Sequence, residues 1–133
     1  MSHGEEKIIT LLQKSKYKFE REKSFKDLKR GAYRFDFYIS RKGTKVILEY
    51  NGEQHYHYIK KFYRSRADFE GAKERDRRKI SYCLAKDIPI YIIPYWELDH
   101  IKNAADLFQT KFLAKSRWKN DQDLRNHKNL TKY

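Results

Sequence analysis

Residues 33–55 have the sequence YRFDFYISRKGTKVILEYNGEQH, and the pattern of this stretch indicates the fold class of the chain. Apolar side chains occupy every second position of residues 33–39, which predicts a strand with one apolar face. The members of that predicted face are Tyr33, Phe35, Phe37 and Ile39. The RKGT sequence at 41–44 turns the chain, and residues 45–51 alternate again. The stretch therefore predicts two adjacent strands joined by a short turn.

Two carboxylates stand on the faces of these strands that point away from the predicted core. Asp36 lies in the first strand and Glu49 in the second. Because neighbouring strands run about 5 Å apart, the two side chains can converge. Paired oxygen ligands suit Mg²⁺, which bridges protein carboxylates to phosphate. The alternative interpretation is a solvated strand face whose acids pair with nearby Lys or Arg.

The elements on both sides complete an α/β pattern. Residues 5–14 have the apolar spacing of a helix, and residues 17–25 alternate as a half-exposed strand. Residues 67–86 predict a long helix with Asp76 on its inward face. The apolar run at 88–93 is typical of a strand covered on both sides and paired in parallel. Apolar residues at helical spacing within 101–112 predict a last helix. The order is α-β-β-β-α-β-α, a mixed sheet flanked by helices.

Length and charge set the class of partner. With 133 residues the chain fits one domain, predicted to span residues 1–114, followed by a polar, basic C-terminal extension at 115–133. Its 31 Lys and Arg against 18 Asp and Glu give a net charge of +13. Neutralising phosphate is the commonest use of such an excess, although an acidic protein or a membrane surface would also attract it.

Several function classes are excluded by what the sequence lacks. No stretch approaches the roughly 20 apolar residues that a bilayer needs, and the N-terminus MSHGEEKIIT does not have the pattern of a signal peptide. The single cysteine, Cys83, can form neither an internal disulfide nor a cysteine-rich zinc site. We therefore expect an intracellular, cytoplasmic protein without a membrane partner.

Four pieces of sequence occur in a characteristic order. They are an acid in the first helix, the aspartate of RFDF at 34–37, the EYNGEQH segment at 49–55, and RDRRKISYC at 75–83 before the apolar IPIYIIPYW strand. Together they resemble the PD-(D/E)XK nuclease superfamily over roughly residues 5–98. The similarity is to the compact branch of very-short-patch repair endonucleases and many phage or mobile-element endonucleases.

This resemblance implies a restriction-endonuclease-like fold and a DNA endonuclease that depends on Mg²⁺, with Mn²⁺ as a substitute. Asp36 and Glu49 correspond to the metal ligands of the family. Glu5, in the first helix, corresponds to an acid that supports a second metal position. The alternative role of Glu5 is an N-terminal charge that favours the helix dipole.

One position departs from the family pattern. Asn51 stands where the family carries a lysine, and an amide can orient water but cannot supply positive charge. The resemblance suggests Gln54 and His55 or Lys79 as replacements.

His55 is interpreted as a water-activating base or a phosphate contact, with a purely structural hydrogen bond as the alternative. Glu53 and Asp76 are expected to support the site. Asp76 would otherwise form a structural ion pair with Lys79 or an arginine.

A group of basic residues follows the predicted site. Residues 59–66, IKKFYRSR, interleave cations with aromatic side chains and predict a loop that contacts DNA. The residues predicted to bind DNA are Arg34, Lys60, Lys61, Arg64, Arg66, Arg75 and Arg78. The alternative is an exposed basic loop that contributes only general attraction.

The preferred function is a nicking or double-strand endonuclease of phage or mobile-element origin. A Holliday-junction or branched-DNA resolvase is second, and it would require a homodimer because a junction offers two symmetric cleavage sites. A DNA-binding domain of the same fold without turnover is third, since Asn51 replaces the usual lysine.

Overall fold

The computed structural model describes residues 1–114, and the predicted basic extension at 115–133 lies outside the described residues. Two helices and four strands form the framework. They are α1 (His3–Lys14), β1 (Phe19–Ser24), β2 (Arg34–Arg41), β3 (Thr44–Asn51), α2 (Arg66–Ala85) and β4 (Ile90–Pro94). Short 3-10 segments at Lys29–Gly31, Glu53–His55, Tyr95–His100, Ala104–Phe108 and Thr110–Phe112 join or follow them.

The four strands form one mixed sheet in the order β1-β2-β3-β4. β2 pairs antiparallel with both β1 and β3, whereas β4 pairs parallel with β3. The parallel pairing predicted for the apolar run is therefore confirmed, with α2 as the crossover helix. The β2–β3 connection turns at Lys42 (φ 51°) and Gly43 (φ 78°), the two positive φ values that a tight hairpin turn requires.

The sheet is covered on both faces. α1 and the C-terminal 3-10 segments cover one face, where Ile8, Leu12, Phe37 and Leu48 are buried together with Ile101 and Leu107. α2 covers the other face, where Leu28, Phe35, Ile47, Ile80, Cys83 and Ile90 are buried. Each helix begins at a serine whose hydroxyl accepts a backbone N–H, Ser2 before α1 and Ser65 before α2. No helix within residues 1–114 is long and apolar enough to cross a membrane.

The prediction of a last helix within residues 101–112 is wrong. Residues 104–108 and 110–112 form two short 3-10 segments, separated by Gln109 in an extended conformation (φ −66°, ψ 141°). Asn103 and Asp106 do form a capping box, but the helical segment that they begin covers only five residues. The apolar residues at helical spacing instead pack turn by turn along the sheet, and the backbone of Leu113 bridges to Tyr91.

The prediction that the apolar side chains of β2 share one face is also wrong in part. Phe37 and Ile39 face α1, but Phe35 belongs to the core beneath α2. The alternation therefore breaks at Asp36. On β1, the register places Glu22 opposite Asp36, between the pairs Arg21↔Phe37 and Lys23↔Phe35, and Glu22 has a left-handed backbone (φ 55°). The sheet is distorted at Asp36.

Candidate active site

A cleft of about 380 Å³ opens where β2 begins and β3 ends. It brings together all of the predicted catalytic and metal-binding side chains. Those lining the cleft are Glu5, Asp36, Glu49, Gln54, His55 and Lys79, with the predicted supporting residue Glu53. The helix α1 closes one side, because Gly4 lies so close to the Tyr50 ring that any side chain there would overlap it.

Asp36 and Glu49 meet between the two strands that carry them. The β2–β3 pairing is regular as far as Phe37↔Leu48, and the next residues on each strand are Asp36 and Glu49. Beyond that pair, the backbone N–H of Asp36 donates to Oε2 of Glu49 at 2.8 Å. The N–H of Tyr50 donates to Oδ2 of Asp36, also at 2.8 Å. At this point the side-chain carboxylates, rather than backbone carbonyls, accept the backbone N–H groups. These hydrogen bonds hold both carboxylates between the two strands.

Lys79 supplies the cation that pairs with Glu49. Its Nζ forms an ion pair with Oε1 of Glu49 and lies 4.9 Å from the centre of the Phe35 ring. The side chains of Lys79 and Glu49 are only 12% and 10% exposed. Burial acts to lower the pKa of the Lys79 ammonium, but the Glu49 carboxylate outweighs it, so that the pKa lies above its usual value. Lys79 is therefore charged at neutral pH.

The environment of Asp36 disfavours the charged form of its carboxyl group. Burial, reinforced by the neighbouring Glu49 carboxylate, raises the pKa of Asp36 from 3.8 to about 8. The hydrogen bond from Tyr50 and the charge of Lys79 act in the opposite direction but do not cancel the effect. One ammonium group thus faces the buried carboxyl group of Glu49 and the half-buried carboxyl group of Asp36, an arrangement that a further cation would relieve.

Glu22 and Arg21 on β1 are part of the site but were not predicted from the sequence. Carboxylate oxygens of Glu5, Glu22 and Asp36 lie within 4.8 Å of one another, close enough to share a metal ion. Nη2 of Arg21 lies 2.8 Å from Oε2 of Glu5 and 3.7 Å from Oε1 of Glu22. In sequence these residues belong to an exposed, alternating strand, and only the β1–β2 register could have connected Glu22 with Asp36.

His55 is held by Asp76. Nδ1 of His55 and Oδ2 of Asp76 are 2.9 Å apart, so an N–H on Nδ1 would donate to the carboxylate. Lys79, one of the partners expected for a structural ion pair of Asp76, pairs with Glu49 instead, although the Asp76 charge also helps to raise the pKa of Lys79. The neighbouring Gln54 lines the same cleft, and its backbone carbonyl accepts the Tyr63 hydroxyl at 2.7 Å.

Asn51 lies behind the cleft rather than in it. It is buried, and its Nδ2 donates to the Tyr56 hydroxyl at 3.4 Å. Together with Glu49, Asp76 and Lys79 it lines a small cavity of about 10 Å³ beneath α2. Lys79 thus reaches Glu49 from the helix, whereas a lysine at 51 would reach it from the strand.

Most of the predicted DNA-binding cations are exposed. Arg34, Lys60, Lys61, Arg64, Arg66 and Arg75 are exposed, whereas Arg78 is half-buried. Several of them contact other side chains: Arg64 pairs with Asp68, Arg78 pairs with Glu74, Arg66 lies over the Tyr58 ring, and Lys61 lies over the Phe62 ring.

The arrangement combines hard oxygen donors, a buried ammonium and a histidine oriented by a carboxylate around one open cleft. Such a set can hold a divalent cation, stabilise an anion and accept a proton. The chain matches no protein-family model, no curated protein and no solved structure.

Proposed function

We propose that the chain is a Mg²⁺-dependent DNA endonuclease of the PD-(D/E)XK type, with a restriction-endonuclease-like arrangement of its mixed sheet. One observation carries the proposal. Asp36 and Glu49 converge between β2 and β3 where the ladder is interrupted, and Lys79 is paired with Glu49 at the same point. On an ordinary solvated strand face these side chains would be exposed, whereas here Glu49 is buried and Asp36 and Lys79 are half-buried.

The residues present fit a divalent cation. Asp36 and Glu49 offer oxygen donors at the wall of an open cleft, and Glu5 and Glu22 add further carboxylates beside Asp36. Burial and the neighbouring Glu49 carboxylate raise the pKa of Asp36, and a cation bound between the two acids would act against both effects. Mg²⁺, or Mn²⁺ in its place, would supply Lewis-acid polarisation of the scissile phosphate and of the attacking water.

Lys79 takes the role of the lysine that the family carries on the strand. Its ammonium is buried, charged and fixed by Glu49, so that it is preorganised to stabilise negative charge developing on a phosphate in the cleft. His55, oriented by Asp76, accepts the proton of the attacking water, and Gln54 helps to orient that water. The net charge of +13 and the exposed cations near the cleft favour DNA as the substrate.

A DNA-binding domain without turnover is the second candidate, and one observation favours it. Both carboxylate oxygens of Glu49 already have partners in the chain, the N–H of Asp36 on Oε2 and the ammonium of Lys79 on Oε1. A metal ligand in this position must share or exchange those partners.

A plasmid-nicking assay separates the two candidates. We expect the protein to cut supercoiled DNA with Mg²⁺ or Mn²⁺ and not with EDTA. Asp36→Asn and Glu49→Gln should each abolish cutting while DNA affinity is retained, because each removes a ligand charge with little change in volume. Glu20→Gln, at an exposed acid of β1, is the matched control and should cut normally.

Two results would overturn the assignment. Cutting at the wild-type rate by either site variant would exclude its carboxylate as a ligand. Tight DNA binding by the wild-type chain without any metal-dependent cutting would favour the silent domain.

A further inference from the structure

Three aromatic rings form a continuous cluster beside the cleft. Tyr56 follows the Glu53–His55 segment, and Tyr95 and Trp96 begin the segment after β4. The ring centres of Tyr56 and Trp96 are 4.8 Å apart, those of Tyr95 and Trp96 are 5.3 Å apart, and those of Tyr56 and Tyr95 are 6.0 Å apart. Two separate parts of the chain therefore build one aromatic surface.

Trp96 is left open to solvent at the outer end of this cluster. It is 55% exposed, although its partners are close enough to hold its ring in place. Trp96 and Tyr56 line a groove of about 380 Å³ together with Pro94 and Phe112. The two ionic side chains of the groove, Glu97 and Lys111, pair with each other at 3.4 Å. The groove is thus aromatic and locally close to neutral, which suits a nucleobase better than a phosphate.

The cluster is joined to the candidate active site at two points. Tyr95 lines the cleft, whereas Tyr56 and Trp96 line the groove. The Tyr56 hydroxyl accepts a hydrogen bond from Asn51, two residues beyond Glu49 on β3. The aromatic surface is therefore continuous with the wall of the cleft that carries the acidic pair.

We propose that Trp96 and Tyr56 form a stacking platform for an unpaired nucleobase, and that the preferred substrate is DNA with an unpaired base near the scissile phosphate. The inference rests on the proposed nuclease function, because it assumes that a phosphate of the same strand lies in the cleft. Every base offers a ring face, so that stacking selects unpaired strands with little sequence preference. The net charge of +13 attracts the backbone, and the platform receives the base.

The test compares two DNA probes, a blunt duplex and the same duplex with a bulged thymidine, by fluorescence anisotropy in EDTA. The wild-type chain should bind the bulged probe more tightly. Trp96→Ala should lose roughly tenfold in affinity for the bulged probe and little for the duplex, and Trp96→Phe should keep part of the preference. Circular dichroism of each variant checks that the fold is retained.

Phe62→Ala tests the basic loop at 59–66 as the competing site of base stacking, because Phe62 is 54% exposed and lies in that loop rather than in the cluster. It should leave the preference for the bulged probe unchanged. Loss of the preference in Phe62→Ala alone would assign base stacking to the loop and overturn the proposal. If both Trp96 variants keep the full preference for the bulged probe, the stacking proposal is overturned as well. The groove would then bind another part of the chain or a protein partner.

The two proposals fail separately. Because binding is measured in EDTA, a bulge preference that depends on Trp96 supports the platform even if the protein never cuts DNA. Conversely, metal-dependent cutting by a chain that binds both probes equally well supports the nuclease and contradicts the platform.

Discussion

At the scale of single residues, the burial of Asp36 ties the stability of the fold to pH. The pKa of Asp36 is about 8 in the folded chain against 3.8 for an unperturbed aspartate. Between these values the folded state binds a proton that the unfolded state has released, so that this group favours folding less as the pH rises. Its contribution is complete below about pH 4 and is lost as the pH passes through about 8.

We therefore predict that the metal-free protein loses stability between pH 5 and pH 8, and that Asp36→Asn flattens this dependence. The slope attributable to one such group is at most about 1.4 kcal/mol per pH unit. Urea unfolding in EDTA at several pH values measures it, with Glu20→Gln as the exposed control. Equal slopes for the wild type and Asp36→Asn would show that Asp36 ionises normally.

Mg²⁺ should restore the stability of the wild type at pH 8 and should not stabilise Asp36→Asn to the same degree.

The ion pair between Lys79 and Glu49 leads to a second residue-scale prediction. Lys79→Met leaves the Glu49 carboxylate buried without its cation, which should destabilise the fold by about 3–5 kcal/mol. Adding Glu49→Gln should recover part of that loss, because the uncompensated charge is then gone. The control is Lys86→Met, which breaks the exposed pair with Asp27 and should cost below about 1 kcal/mol. Urea unfolding of the wild type, Lys79→Met, Glu49→Gln and the double variant gives the coupling energy, and additive losses would contradict the prediction.

The same lysine should matter for turnover. In Lys79→Met the developing charge on the phosphate is unmet, and cutting should slow by on the order of 10²-fold or more at unchanged metal affinity. Asn51→Lys could restore a cation, but the cavity shared by residues 51 and 79 measures only about 10 Å³. We therefore expect rescue only where residue 79 is shortened, as in Asn51→Lys with Lys79→Ala. Normal cutting by a well-folded Lys79→Met would pass the role to His55 and Gln54.

At the scale of elements, the loop between β3 and α2 is anchored by its own aromatic rings. Tyr63 packs edge-on against Phe69 of α2, with ring centres 5.3 Å apart, and the Tyr58 ring contacts both, at 6.5 Å from Tyr63 and 6.0 Å from Phe69. The Tyr63 hydroxyl holds the carbonyl of Gln54. The segment that carries Gln54 and His55 is thus fixed to the start of α2, the helix that also bears Asp76 and Lys79.

We predict that Tyr63→Phe lowers kcat several-fold without changing KM, because the Glu53–His55 segment loses its tether while the DNA-contacting cations stay. Losing this one hydrogen bond should also cost about 1 kcal/mol of stability. Tyr58→Phe, which keeps its ring in the same cluster, is the control and should behave like the wild type. Steady-state cutting rates on one DNA substrate measure both, and a change confined to KM would indicate a binding role instead.

At the scale of the whole molecule, charge dominates the expected interaction. A protein that contacts four phosphates should lose roughly 100-fold in DNA affinity between 50 and 200 mM salt, through release of counterions. Lys61→Glu should make this salt dependence shallower. Lys42→Glu is the control, because Lys42 lies in the β2–β3 turn, at the end of these strands opposite the cleft. Titration of labelled DNA at several KCl concentrations gives the slopes, and a flat response would exclude a phosphate-contacting surface.

Much of the framework follows from local pattern. Alternation predicted all three strands before α2, and the apolar run predicted the parallel fourth strand, because these patterns record which side of an element is buried. Spacing along two adjacent strands was enough to bring Asp36 and Glu49 together. The inward face of α2 similarly brought Lys79 to the cleft, because residues three or four apart on a helix share a face.

Other features depended on contacts between distant segments. Asp76 could have paired with any nearby cation, and its pairing with His55 arises only when the Glu53–His55 segment packs against α2. The last predicted helix became short 3-10 segments because packing along the sheet overrode helical spacing. Glu22 and Arg21 had the pattern of an exposed strand edge, and the β1–β2 register alone placed them beside Asp36. Local pattern located the four strands and the helices α1 and α2, whereas register and packing between elements decide which side chains meet and, as at Phe35, which face of the sheet they lie on.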